Sequence, residues 1–406
     1  MSKYITGFDI GTASIKTAVA EIDKNNSLNI ISLSRHSSQG VKKGVIHYLN
    51  DVQATSNIAL EKVKSVARPA LKNIYINVGG NRSRMQLSRG MVVVSRGDNE
   101  IYQDDIDRVV KSAQDMVRAS NRVVIHTINK EFIVDGLQQI ENPMGLTGNK
   151  LEVDSYVIDA FSPDVRNLSR VVEQSGGVIN GMFYNPISTA QAILTKNQKD
   201  LGVTLIDIGS GTTSISVFED GKLLHANVLP IGSSNITNDI AIGLKVSIEA
   251  AESLKLSYGY AVARDIPLKE KLDISKVDNK AGKPIARRFF SDIIEVRLAE
   301  IFELVNKELK NIGREKDLPA GVVLTGGGSK MPGIVELARV ELKLPVQLGI
   351  VPTSSIKALN KEIEEKMEDP EYANAIGLIL GGYSHGGHNR LQLTNPFSKF
   401  LNYFLP

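Results

Sequence analysis

Residues 203–221 read VTLIDIGSGTTSISVFEDG, and no other stretch restricts the fold of this chain as much. An apolar run over 203–208 carries Asp207 near its end and drives into a Gly-Ser-Gly turn. A second strand-like run over 213–218 follows and closes at Asp220-Gly221. The pattern predicts a hairpin with an acidic residue at the end of its first strand. Its turn is stripped of bulk, so backbone N–H groups have a close approach to a ligand. The N-terminus repeats the device: residues 5–10, then Gly11-Thr12-Ala13-Ser14, then residues 15–22, with Asp9 in the matching place. Two such units predict two related lobes facing each other across a cleft. Convergent N–H donors favour an anion, which makes phosphate the natural occupant.

The 406 residues suffice for two domains or more. A formal net charge of +3 indicates no general polyanion-binding role, so no nucleic-acid partner is expected. Cysteine is absent, which removes disulfides and thiolate chemistry and fits a reducing cytoplasm. The start, MSKYITGFDIG, lacks an apolar core of signal-peptide length. No apolar run approaches the ~20 residues of a spanning helix, so the expectation is a protein that is soluble or sits on a membrane surface.

Taken in order, the first hairpin places Lys16 two residues past Ser14, on the same strand face and within reach of a phosphate oxygen. Asp51 suits a helix cap for a helix running to about Arg68. From about Asn81 the register changes: a short strand over 91–95, an amphipathic helix from Gln103 to about Ala119, and β-rich runs over 122–135 and 151–160. This block reads as a small α+β insert in the first lobe, in which His126 is a structural or surface residue. A helix over 186–195 bears Gln191, placed to look back into the cleft. Asn235 or Thr237 suits the cap of the helix after the second hairpin. Residues 247–259 predict a helix with Glu252 and Lys255 on neighbouring faces, and 285–311 a long helix. A buried-looking strand over 321–324 runs into Thr325, Gly326, Gly327 and Gly328, and a helix opens after Pro332-Gly333. Such a junction puts backbone N–H groups at a ligand and lets a flat ring lie against backbone. Near the chain end a Gly- and His-rich linker, with His385 and His388, precedes Phe397, Phe400, Leu401, Phe404 and Leu405. Their i, i+3, i+4, i+7, i+8 spacing makes one greasy helical stripe.

These segments resemble the actin-like ATPase superfamily of actin, sugar kinases and heat-shock chaperones. Within it the chain is similar to FtsA, the actin-like family of bacterial cell division, over nearly its whole length. GFDIGTASIKTAVAEI and DIGSGTTSISVF resemble the two phosphate loops, and VVLTGGGSKMPGIVELA the adenosine loop. The insert, with IHTINKEFIVDG and NPMGLTGNKLEVDSYVI, is the most specific match, joined by DPEYANAIGLILGG and the terminal stripe. The resemblance implies an α/β, two-lobed actin-like fold. Its implied division is a first lobe over 1–80 and 162–197, an insert over 81–161, and a second-lobe core over 198–240 and 311–358. An outer subdomain spans 241–310, a closing helix 359–382, a linker 383–394 and an amphipathic membrane helix 395–406.

The resemblance further implies ATP and Mg²⁺ as cofactors. Asp9 and Asp207 would hold the ion, largely through water. Gly11, Thr12, Ala13, Ser14, Gly209, Ser210, Gly211, Thr212 and Thr213 would cradle phosphates, with Lys16 assisting. Gly232, Glu252, Lys255, Gly326, Gly327, Gly328, Lys330 and Met331 would surround the nucleoside. Gln191 matches the place of actin's water-orienting glutamine, with slow turnover at most. Arg287, Arg288, Arg297 and Glu300 would meet the acidic tail of the tubulin-like FtsZ. The implied role is a scaffold that polymerises, anchors FtsZ filaments to the inner face of the cytoplasmic membrane through its lipid-binding helix, and recruits other division proteins. Two departures stand out: Ser210 replaces a usual glycine, and the tail carries only Lys399 as a basic residue, leaving apolar insertion as its main term. The alternative is an adaptor of a pilus or secretion machine, similar to PilM. A small-molecule kinase is a third class, and no acidic residue near the first hairpin stands as a sugar-hydroxyl base.

Overall fold

The computed structural model describes residues 3–274, 284–352 and 356–384. The terminal stripe Phe397, Phe400, Leu401, Phe404 and Leu405, and His385 and His388 of the linker, lie outside the described residues.

Both acidic hairpins form, each at the heart of its own sheet. Lys3–Ile10 and Ser14–Ile22 pair antiparallel with Ile10 opposite Ile15. Val203–Ile208 and Thr213–Glu219 do the same with Ile208 opposite Thr213. The first sheet has the strand order Ile179–Tyr184, Ile74–Val78, Lys3–Ile10, Ser14–Ile22, Leu28–Ser37, Lys357–Ala358. The second runs Lys222–Leu229, Thr213–Glu219, Val203–Ile208, Val322–Thr325, Val346–Leu348. In each, the leading hairpin strand has a parallel neighbour on its other side. Parallel neighbours need a crossover, and helices supply it: Leu49–Val66 ahead of Ile74–Val78, and Arg287–Asn311 ahead of Val322–Thr325. Sheets covered on both faces require strands that are apolar throughout, as Val203–Ile208 and Ile74–Val78 are apart from Asp207, Thr204 and Asn77.

Two helices lie where the lobes meet, Asn185–Ile193 and Ala373–Tyr383. Their backbones touch: a Cβ on Gly377 would stand 1.9 Å from the Ser188 carbonyl oxygen. Small residues in both helices permit this contact, which brings their polar side chains to the cleft floor.

The insert is a four-stranded antiparallel sheet in the order Arg84–Val93, Lys150–Phe161, Arg122–Val134, Leu137–Ile140. Helix Gln103–Met116 covers one face, packing Val109, Val110 and Ala113 in one core with Phe132, Leu151 and Val153 of the sheet. Its first strand starts at Arg84, well before the expected 91–95, because Arg84, Gln86 and Ser88 alternate with Met85 and Leu87 and mask the apolar signal. His126 is buried and its Nε2 accepts from the Tyr184 N–H at 3.0 Å, a structural role as expected. Two caps differ from the sequence reading. Tyr48, not Asp51, is the N-cap of Leu49–Val66, and Asp51 sits in the first turn, where a carboxylate meets the positive end of the helix dipole. Helix Ser233–Leu244 begins at Ser233 with Gly232 as its N-cap. Asn235 therefore occupies the third helical position and its Oδ1 accepts from the Gly232 N–H at 3.1 Å.

Candidate functional site: the cleft between the lobes

The two hairpin turns have one construction. Gly11 N–H donates to Ser14 O at 3.1 Å, and Gly209 N–H donates to Thr212 O at 2.9 Å. Each acidic residue is cross-strand partner to the residue seven places on, Asp9 to Lys16 and Asp207 to Ser214. Opposed residues have Cβ atoms about 5 Å apart, and Lys16 Nζ donates to Asp9 Oδ2 at 3.2 Å. The turns meet across the cleft, where a Cβ on Gly211 would fall 2.6 Å from Thr12 Oγ1, so only glycine fits there.

Thr325, parallel partner of Asp207, leads into the glycine triplet. Gly326 has φ +82° and a Cβ on it would strike Asp207 Oδ1 at 2.2 Å, two independent reasons for glycine. The cleft so enclosed measures about 430 Å³ and is lined by Asp9, Gly11, Thr12, Ala13, Ser14, Lys16, Asp207, Gly209, Ser210, Gly211, Thr212, Glu252, Lys255, Gly326, Gly327, Gly328, Lys330 and Met331. That volume is in the range of small-ligand and cofactor pockets.

Other expected residues lie elsewhere. Thr213 is buried with its Oγ1 donating to Ile231 O at 2.9 Å, and Gly232 is packed on the Ser210 carbonyl; both shape the second turn from behind. Gln191 is a correction. Its Oε1 faces Gly381 of the neighbouring helix and it does not line the cleft. Thr189 bonds Asp207, and a residue two places further is about 200° round the helix. The cleft side of Asn185–Ile193 carries Asn185, Ser188 and Thr189 instead. Arg297 and Arg287 are already engaged: Arg297 holds Asp239 at 2.5 and 2.9 Å and also pairs Glu300, and Arg287 holds Glu270 at 2.5 Å. Among the described residues Arg288 has no such carboxylate pair, and Phe289 and Val296 of the same helix are exposed.

Several cleft residues escaped the sequence reading. Asn374 Nδ2 donates to Asp9 Oδ1 at 2.9 Å, and Arg35 pairs Glu371 at 2.9 Å. Lys330 of the second lobe bridges Asp369 at 2.7 Å and Glu371 at 2.9 Å. A lone asparagine in the small apolar run 373–380 was a usable signal, since a buried amide needs partners.

Burial pushes the Asp207 carboxyl up to about 6, helped by the Asp9 charge and opposed by Lys16 and by the Thr189 hydroxyl. Burial pulls Lys16 down, but the charge and hydrogen bond of Asp9, with Glu371 and Asp207, carry it above its ordinary value. Two carboxylates and one ammonium leave the floor negative when all are ionised. A phosphate chain entering there requires a cation. The donors are hard oxygens, and no group of three or more metal-ligating side chains occurs among the described residues. That donor set fits Mg²⁺, which takes one or two carboxylates plus phosphate and water rather than a protein cage.

Three comparisons bear on the family. The family model "Cell division protein FtsA" matches residues 204–377, and "SHS2 domain inserted in FTSA" matches 80–159, the extra α+β unit. The chain is 32% identical to the cell division protein FtsA of Pseudomonas aeruginosa, covering 94% of this chain and 89% of that one. It is 34% identical to the Bacillus subtilis FtsA, covering 93% and 83%. Among solved structures, a PilM-PilN type IV pilus biogenesis complex aligns at TM-score 0.66 and 18% identity, covering 93% of this chain and 98% of that one. MreB5 of Spiroplasma citri bound to ADP aligns at 0.53 and 14%, covering 92% and 94%. Those two likenesses show the actin-like fold, whereas the curated relatives, each matched over more than four-fifths of its length, show that the chain belongs to the FtsA family of bacterial cell-division proteins.

Proposed function

We propose that the chain acts in division as a nucleotide-dependent scaffold. It binds ATP with Mg²⁺ between the lobes, polymerises, attaches to the cytoplasmic face of the membrane, and recruits FtsZ and further division proteins. One observation carries the reading: two hairpin turns of identical construction and a glycine triplet enclose a single cleft with a carboxylate from each lobe. Bound Mg²⁺ would supply charge to the phosphate oxygens. Asp9 and Asp207 would hold it, and residues 11–14 and 209–212 would take the phosphates. Glu252, Lys255, Met331 and the triplet would take the nucleoside. Lys255 is held ready by Thr237 Oγ1 at 2.8 Å and Glu252 Oε2 at 2.7 Å. The MreB5 neighbour, bound to ADP, supports the same use of this fold.

The FtsZ tail is assigned to the outer subdomain through Arg288 and the exposed Phe289 and Val296 of its helix, since Arg pairs planar carboxylates well. No helix among the described residues is long and apolar enough to cross a membrane. Attachment is assigned to the stripe Phe397, Phe400, Leu401, Phe404 and Leu405. Co-sedimentation with lipid vesicles tests the scaffold reading. The full chain should pellet with vesicles and form filaments on them when Mg-ATP is present. Phe400→Glu, which puts a charge in the apolar stripe, should stay in the supernatant while still binding ATP. If Phe400→Glu pellets as wild type does, the tail is not the anchor.

A further inference from the structure

The two cleft carboxylates are joined by side chains that belong to neither hairpin. Asp9 has both oxygens engaged: Oδ2 by Lys16 at 3.2 Å and Oδ1 by the Asn374 amide at 2.9 Å. Asn374 is 6% exposed and stands in the first turn of Ala373–Tyr383, an otherwise apolar helix. Its own oxygen accepts from Ser188 Oγ and lies 3.5 Å from Thr189 Oγ1. Thr189 Oγ1 in turn donates to Asp207 Oδ2 at 3.3 Å. The Thr189 hydroxyl has one hydrogen, so while it serves Asp207 it is in contact with the Asn374 oxygen without bonding it, and Ser188 supplies that oxygen's hydrogen bond. The helix contact at Gly377 brings Asn374 within reach of Ser188.

We propose that Asn374 is a positioning residue for the divalent cation, one that makes the two carboxylates unequal. With Oδ1 held by Asn374 and Oδ2 by Lys16, Asp9 meets the ion through water. Among the described residues Asp207 is hydrogen-bonded at Oδ2 only, so its Oδ1 is the carboxylate oxygen left to face the ion. Partners behind a ligand fix its orientation and tune the metal, and their loss typically costs ~10–100-fold in metal affinity. The inference rests on the Mg-nucleotide reading above.

The test compares wild type with Asn374→Ala by calorimetry of ATP binding, once with Mg²⁺ and once in EDTA. The water ligands of bound Mn²⁺-ATP are then counted by ¹⁷O-water broadening of the Mn²⁺ resonance. Freed of Asn374, Asp9 Oδ1 turns onto the ion and displaces one water. Divalent-dependent affinity should fall ~10-fold or more, affinity in EDTA should stay at the wild-type value, and the water count should drop by one. Should the alanine variant unfold, Asn374→Ser keeps a polar group in the pocket but is too short to reach Asp9, and the same changes are expected. An equal loss in EDTA would mean Asn374 serves helix packing alone, and an unchanged water count would mean it does not set Asp9; either overturns the inference and leaves the cation reading standing. A wild type that binds ATP equally with Mg²⁺ and in EDTA would overturn the cation reading, and this inference with it.

Discussion

Asp207 sits where the cleft's electrostatics are least comfortable, and the nucleotide-free protein bears the cost. Burial and the Asp9 charge raise its carboxyl from 3.8 to about 6. A folded value above the unfolded one means the native state holds the extra proton between about pH 4 and 6. Stability therefore falls as pH rises through that window. Two pH units correspond to ~3 kcal/mol at most, and an open, partly wet cleft reduces this to roughly 2 kcal/mol. Asp207→Asn should remove that pH dependence and raise the thermal midpoint of the nucleotide-free protein at pH 7 by several degrees, while abolishing Mg²⁺-dependent ATP binding. Thermal unfolding from pH 4 to 7.5, with and without Mg-ATP, checks both halves. At this scale the sequence was informative for residues next to a turn. Asp9, Asp207, Lys16 and the small turn residues were readable because hairpin register places them. Asn374 stood out as a lone asparagine in an apolar run, but its partner was not readable, because Asp9 lies 365 positions away and no local spacing relates them.

Elements were legible where periodicity was strong and misleading where phase mattered. Helix Asn185–Ile193 was expected from its pattern, but Gln191 was assigned to the cleft by proximity in sequence. The phase set by Thr189 turns it away. In the outer subdomain the arginines looked alike on paper, yet Arg297 anchors the helix Arg287–Asn311 to Asp239. Arg297→Ala should lower stability by ~1–2 kcal/mol through the lost charge-assisted bonds, whereas Arg288→Glu should leave stability unchanged and weaken binding of an acidic FtsZ tail peptide. Anisotropy titrations at two salt concentrations, alongside urea melts, separate the two effects. In the insert, strand Arg84–Val93 meets helix Gln103–Met116 at Gly90, where a Cβ would lie 2.2 Å from the Val109 carbonyl oxygen. Gly90→Val should push that helix off its sheet at a cost of ~2 kcal/mol or more. Hydrogen exchange should then rise within residues 84–161 while ATP binding at the cleft persists.

At the scale of the molecule, the duplication of one acidic hairpin foretold two lobes and the cleft between them, and the insert stood out by its change of register. What the chain could not show locally was closure: how the helix Ala373–Tyr383 returns to the first lobe and places Asn374 against Asp9. The proposed role also asks a short terminal stripe to suffice for attachment. Burying its five large side chains yields a gross ~7–15 kcal/mol, and ordering about ten residues at ~1–2 kcal/mol each opposes most of it. One tail would then bind weakly and reversibly, and the proposed polymer, presenting many tails, would bind firmly. Nucleotide in the cleft is the premise of that sequence of events. Gly327 isolates it, because the nearest atom a Cβ there would meet is in Glu371 at 3.5 Å, ordinary contact, whereas Gly328 would drive one into Ile208 at 2.4 Å. Gly327→Val therefore fits the folded protein but fills the nucleoside end of the cleft. Calorimetric titration of Mg-ATP into wild type and Gly327→Val tests the premise most directly. One site per chain in wild type, lost in a variant that melts as wild type does, is the predicted result; equal ATP affinity in the two proteins would contradict it.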